Sequence, residues 1–196
     1  MDTDDVGPII LTDRFREAID YAFNLHKDQK RKGTKIPYFA HLLGVTSLVL
    51  EHGGGEDEAI AAMLHDAVED QGGLDTLAKI KDRFGERVAF LVWSLTDSHE
   101  IPKPDWEIRK KNYISHLSKA PDEVRLVSLA DKLHNARSIL LSLQVDGEET
   151  WLRFSGGKNG TLWYYDSLVD VFSATGDDVM TKELSCVVAE IKKLAQ

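Results

Sequence analysis

The sequence predicts an all-α protein, a helical bundle built as one domain over residues 1–196. Three observations carry this. Apolar residues recur at helical spacing through most of the chain, and no alternation is long enough to build a sheet. Glycine and proline divide the chain into segments of helix length, with no internal repeat and no low-complexity stretch. The 196 residues suffice for a single substantial core, and 42% hydrophobic and 29% charged residues are ordinary for a globular chain.

Residues 1–10 read as a frayed lead-in. Thr12 or Asp13 can cap a first helix running to about Lys30, with Phe15, Ile19, Ala22, Phe23 and His26 spaced as a buried stripe. Between Lys27 and Lys35, five of nine residues are basic, and Gly33 breaks the helix. Read alone, this is a solvated helix end with cations near the C-terminal dipole. The sharper reading, a phosphate grip, gains weight only from the residues downstream. After Pro37, Tyr38-Phe39-Ala40-His41 leads into a largely buried helix carrying Leu42, Leu43, Val45, Leu48, Val49 and Leu50. Taken alone, His41 reads as a satisfied core histidine.

Gly53-Gly54-Gly55 stops that helix, and Glu56 and Asp57 start the next with charges that suit a helix N-terminus. Its run Ala59-Ile60-Ala61-Ala62-Met63-Leu64 has no polar face and should be buried. His65-Asp66-Ala67-Val68-Glu69-Asp70 comes next. On a continuing helix His65, Asp66, Glu69 and Asp70 fall within one arc of about 140°. So many carboxylates need a positive partner, either a divalent metal or a basic neighbour.

Gly72-Gly73 opens a short amphipathic helix with Leu74, Leu77, Ile80 and Phe84, ending at Gly85. Arg87 to Leu95 forms another. Residues 96–104 are a loop, and Trp106 to Leu117 returns to helical spacing. Pro121 starts a long helix to about Leu143, whose apolar centre is interrupted by Asp131. That carboxylate is either a structural one, paired for instance with Arg137, or a ligand. Asn135 lies one turn further on the same face. Asp146-Gly147 is a turn. Ser155 to Gly160 is a loop between aromatic segments, and Tyr165, Leu168, Val169 and Phe172 are core. Asp177 to Leu194 is a last amphipathic helix, whose apolar face could pack on a second copy in a homo-oligomer.

Composition narrows the function. A formal net charge of -9 disfavours nonspecific binding to nucleic acid, which needs a basic face. No apolar run approaches the ~20 residues of a membrane span. Met1 to Asp5 is acidic and unlike a secretory signal, and Cys186 is the lone cysteine. A cytoplasmic location is expected.

Four candidate ligands come from three separated helices: His41, His65, Asp66 and Asp131. Two imidazoles and two carboxylates suit Mn²⁺, Fe²⁺, Zn²⁺ or a related ion and leave positions open for water or substrate. This order, with Arg31-Lys32, Pro37-Tyr38-Phe39-Ala40-His41, His65-Asp66-Ala67-Val68-Glu69-Asp70 and Leu129 to Arg137, resembles the HD-domain superfamily of metal-dependent phosphohydrolases. More narrowly it resembles the hydrolase domain of RelA/SpoT-type alarmone enzymes and their single-domain relatives. The resemblance spans about residues 15–145. It implies an HD-domain helical bundle, a bound Mn²⁺ and removal of the 3′-pyrophosphate from ppGpp or pppGpp.

The chemistry fits the residues. A metal would acidify water and polarise a phosphoryl oxygen. Glu69 and Asp70 are placed to orient or deprotonate the attacking water. Arg31 and Lys32, helped by Lys30 or Lys35, could neutralise the phosphates of a small-molecule nucleotide, and Asn135 could bind it. By resemblance, Tyr164 would bound the nucleotide pocket. Animal members carry a lysine after the pair matching Thr96-Asp97; here Ser98, His99 and Glu100 stand there. The chain matches no synthetase or regulatory part of the long enzymes, so hydrolysis without synthesis is expected. Guanine and adenine alarmones both remain open as substrates. Two alternatives stand beside this reading: a generic HD phosphohydrolase releasing orthophosphate, and a non-catalytic nucleotide sensor.

Overall fold

The structure, a computed structural model, describes residues 9–97, 102–176 and 178–196. The first five residues, Ser98 to Glu100 and Asp177, on which expectations were placed, lie outside the described residues. The architecture is all-α, as expected. Its helices are α1 (Asp13–His26), α2 (Phe39–Glu51), α3 (Glu56–Leu64), α4 (Ala67–Asp70), α5 (Gly73–Phe84) and α6 (Glu86–Leu95). They continue with α7 (Trp106–Leu117), α8 (Asp122–Asp146), a 3-10 helix (Gly147–Arg153), α9 (Gly157–Thr175) and α10 (Val179–Leu194). Among the described residues no helix is long and apolar enough to cross a membrane.

The centre of the bundle is α3. Every residue from Ala59 to Leu64 is fully buried, and the helix packs on α1, α2, α6 and α8. Each fully buried Ile, Met or Leu there contributes about 1.5–3 kcal/mol. The 25-residue α8 crosses α2, α3 and α6 and carries α10 on another side. Met180, Leu184, Val188 and Ile191 of α10 are buried within the chain, while Val179 and Leu194 stay exposed. Thr12, not Asp13, caps α1: its hydroxyl accepts from Arg14 N at 3.2 Å.

Several boundaries differ from expectation, each for a local reason. Helix α1 ends at His26, not Lys30. Lys30 instead bridges to Pro37, and Arg31 N donates to Ile36 O at 2.9 Å. The basic stretch is therefore a closed loop. Its turn is made by Gly33 at φ +72°, where a Cβ would lie 2.8 Å from Arg153 Cδ. The buried stripe of α1 is narrower than read: Ala18, Ala22 and His26 are fully buried while Phe23 is 50% exposed. Leu43 and Leu74 are likewise exposed.

The largest departure is at His65-Asp66. The helix does not run through these residues, because α3 ends at Leu64 and α4 begins at Ala67. His65 Nδ1 lies 2.8 Å from the Ala62 carbonyl, the acceptor a continuing helix would offer to residue 66. The single 140° arc is thereby replaced by a kink that swings Asp66 toward α2. Near the C-terminus, Lys158-Asn159-Gly160 are helical, not loop. A Cβ at Gly156 or Gly160 would meet the Trp106 indole at 2.7 and 3.1 Å, so these glycines let α9 approach α7 closely.

Candidate metal centre and anion pocket

Helix α2 brings in His41 on its first turn, the α3–α4 kink presents His65 and Asp66, and α8 supplies Asp131 from its buried face. The four side chains converge. His65 Nε2 lies 2.9 Å from Asp66 Oδ2 and 3.6 Å from Asp131 Oδ1. His41 Nε2 lies 3.2 Å from Asp131 Oδ1 and 3.8 Å from Asp66 Oδ2. Both histidines are almost wholly buried, and neither Nε2 makes a well-formed hydrogen bond. Buried ring nitrogens left without partners beside carboxylate oxygens are what a divalent ion satisfies. The donors of His41, His65 and Asp66 already lie within 4.8 Å of one another. The residues present thus fit the metal the sequence implies, with two nitrogens and two oxygens.

The surroundings hold these donors in place. A carbonyl only accepts, so the Ala62 contact fixes one His65 proton at Nδ1 and leaves Nε2 as the nitrogen from which an ion would displace the other. Tyr38 donates its hydroxyl to Asp66 Oδ2, and its ring stacks on His26. Asp131 accepts from Lys132 Nζ and from Asn135 Nδ2, each at 2.6 Å. Arg137, weighed as its partner, binds Glu183 instead. Arg31 Nη2 in turn donates to Asn135 Oδ1 at 2.6 Å, which ties the basic loop to the metal-side carboxylate.

Titration follows from this crowding. Burial disfavours an imidazolium at His65, yet the Asp66 and Asp131 carboxylates override it and hold its pKa well above the ordinary histidine range. Burial alone would raise Asp131, but Lys132 and the histidines hold it well below the carboxylate range. Burial pushes His41 down. His134, whose Nδ1 is 2.9 Å from His41 Nδ1, is lowered to about 4 by burial and by His41 and Arg31. Without a metal, the centre therefore keeps a proton on His65 that an ion must displace. Affinity for a divalent ion should weaken as pH falls, by up to about tenfold per unit for one displaced proton. Calorimetric titration at several pH values, in buffers of different ionisation enthalpy, checks both the slope and the proton release.

Glu69 and Asp70 sit on α4 at the mouth of the same cavity. Glu69 pairs with Lys103 at 2.7 Å. Asp70 accepts from Gln29 Nε2 at 2.7 Å, and loss of surrounding water together with the Asp66 charge holds its pKa above the ordinary range. The cavity measures about 670 Å³, within the range of small-molecule sites. Arg31 and Lys32 line one side of it, while Lys30 and Lys35 lie outside. Tyr164 lines it too, 6% exposed.

Sequence reasoning missed several lining residues: Tyr38 as a partner of Asp66, Trp106, and the cations Arg109, Lys110, Lys132 and Arg153. Arg109 and Lys110 flank the Asp97 carboxylate. Burial, Lys132 and Arg109 push the Lys110 pKa down to about 7. Arg153 reaches in beneath Gly33 and donates to Ser142 and Asp146. The sequence signal was the interruption of apolar spacing in α7 and α8, which also fits a solvated face.

A family model described as an HD domain matches residues 18–149. The guanosine-3′,5′-bis(diphosphate) 3′-pyrophosphohydrolase MESH1 of Xenopus tropicalis is 39% identical over 126 residues, covering 63% of this chain and 68% of that protein. MESH1 of Homo sapiens is 36% identical over the same shares. Among solved structures, a metazoan orthologue of SpoT that hydrolyses ppGpp superposes with a TM-score of 0.75. It covers 93% of this chain and 97% of that one at 23% identity. The Listeria monocytogenes protein lmo0812 superposes with a TM-score of 0.69 at 30% identity, covering 78% and 99%.

Proposed function

Because this chain belongs to the HD domain family, we propose that it is a metal-dependent 3′-pyrophosphohydrolase of (p)ppGpp or a close analogue such as (p)ppApp. The observation that carries this is one cavity lined by His41, His65, Asp66 and Asp131, by the further carboxylates Glu69, Asp70 and Asp97, and by a set of cations. Six cations line it beside five carboxylates, a far less acidic balance than the chain's net charge of -9, and with an ion bound it would suit a small polyanion. We assign Mn²⁺ as the ion, a cytoplasmic setting, and residues 1–196 as one hydrolase domain.

A divalent ion held by His41, His65, Asp66 and Asp131 would acidify water and polarise a phosphoryl oxygen. The remaining steps belong to the chain. Arg31 and Lys32 bind phosphate oxygens and offset repulsion from the acidic cluster. Asn135, already bonded to Asp131, fixes the nucleotide relative to the reacting phosphorus. Tyr164 bounds the nucleotide. Glu69 and Asp70 orient the water and accept its proton as it adds to the phosphorus on the 3′ oxygen. That P–O bond breaks, pyrophosphate leaves, and the 3′ oxygen takes up a proton.

The test is product analysis by anion exchange, with ppGpp and separately ppApp, in Mn²⁺ or in EDTA. Metal-dependent GDP or ADP together with pyrophosphate is expected, and the relative rates rank the bases. Orthophosphate in place of pyrophosphate would make the chain a generic phosphohydrolase. No turnover of either compound by metal-loaded protein would overturn the assignment and favour a sensor.

A further inference from the structure

The state in which His41 meets a metal is set by a residue outside the donor set. We infer that His134 positions His41 by accepting a hydrogen bond from its Nδ1–H, and that Gly44 leaves the space this requires. The inference rests on the metal reading under Proposed function.

The two Nδ1 atoms are 2.9 Å apart, so one proton lies between them and either ring can hold it. In one arrangement His134 donates. His41 then carries its own proton at Nε2, 3.2 Å from Asp131 Oδ1, and has no lone pair there for an ion. In the other, His41 Nδ1–H donates to His134, and His41 Nε2 presents its lone pair to the cluster. His65 has no such freedom, since the Ala62 carbonyl opposite its Nδ1 can only accept. His41 has a second imidazole in that place, so its ligating form exists only while residue 134 accepts.

Helix packing makes the contact possible. His134 reaches α2 from α8 beside Gly44, one turn after His41. A Cβ at residue 44 would lie 2.3 Å from His134 Nε2 and 2.4 Å from its Cδ2. Any side chain there drives the ring away. The His41 and His134 rings are tilted at 57° with centroids 4.8 Å apart, a geometry set by that close approach.

Mn²⁺ binding by the full chain, read from the EPR signal of free Mn²⁺, separates positioning from packing. In H134N the amide oxygen takes over the acceptor role of Nδ1; in H134F the ring volume stays and the acceptor goes. H134F should weaken Mn²⁺ binding by about 10- to 100-fold, with H134N staying near wild type. G44A should follow H134F, although alanine is the better helix former. Thermal unfolding in EDTA reports folding independently. Wild-type affinity in H134F, or an equal loss in H134N, would overturn the inference. If H134F does not fold, wild-type affinity in folded G44A overturns it. A wild-type chain that binds no Mn²⁺ would instead overturn the metal reading, and this inference with it.

Discussion

Replacing Glu69 by Gln and Asp70 by Asn together should lower kcat by about 10²- to 10⁴-fold while Mn²⁺ stays bound, which is the range for loss of a positioned proton acceptor. The two carboxylates share the cavity with His41, His65, Asp66 and Asp131, and neither belongs to the cluster that could hold an ion. The substitutions keep shape and remove charge. Folding should hold, because the Glu69–Lys103 pair is partly exposed and such pairs contribute about 0–1 kcal/mol. The two residues should not contribute equally. Glu69 is engaged by Lys103 at 2.7 Å, whereas Asp70 has no cation bonded to it among the described residues and is held above the ordinary carboxylate range, nearer the pH at which it must take a proton. Asp70→Asn alone should therefore carry the larger loss. Single-turnover rates and Mn²⁺ titration of the three variants decide this, and unchanged turnover in the double variant would refute the mechanism.

Asp131→Asn should abolish both metal binding and turnover, a drop on the order of 10³-fold or more given that metal activation is worth several kcal/mol. Asp131 Oδ1 lies 3.2 Å from His41 Nε2 and 3.6 Å from His65 Nε2, so its charge would be central to the proposed donor set. Asparagine is the informative replacement. Alanine would also strip the 2.6 Å partner from the half-buried Lys132, and orphaning a charge costs up to about 3–5 kcal/mol when it is fully buried. Asparagine retains an oxygen for Lys132. Calorimetry with Mn²⁺ and unfolding in EDTA should show lost binding with a smaller loss of stability than Asp131→Ala. Tight Mn²⁺ binding by Asp131→Asn would remove Asp131 from the donor set.

The helices and the convergence of His41, His65, Asp66 and Asp131 were legible because both depend on residue type against an apolar background. An uninterrupted run such as Ala59 to Leu64 has only one stable place, and an acid in the apolar centre of α8 needs a partner. What the sequence could not express is competition for a backbone acceptor. Helical periodicity carries His65 and Asp66 straight on, but the Ala62 carbonyl is engaged by the His65 ring and the chain kinks. The same limit hid the cations. Arg109 and Lys110 carry no signal of their own in the helical spacing of residues 106–117, and only the fold reveals that they turn inward around Asp97. Gly156 and Gly160 read as loop because spacing does not show that Trp106 lies against them. Tyr164 is legible through the resemblance alone, and the structure puts it in the cavity wall.

If ion and nucleotide bind as proposed, the chain of contacts from Arg31 through Asn135 to Asp131 would make them thermodynamically interdependent. An ion that draws on Asp131 alters the hold on Asn135, and a phosphate that draws on Arg31 frees the other end of the same amide. Whatever factor the ion applies to nucleotide affinity, the nucleotide must return to ion affinity, because the coupling free energy is common to both.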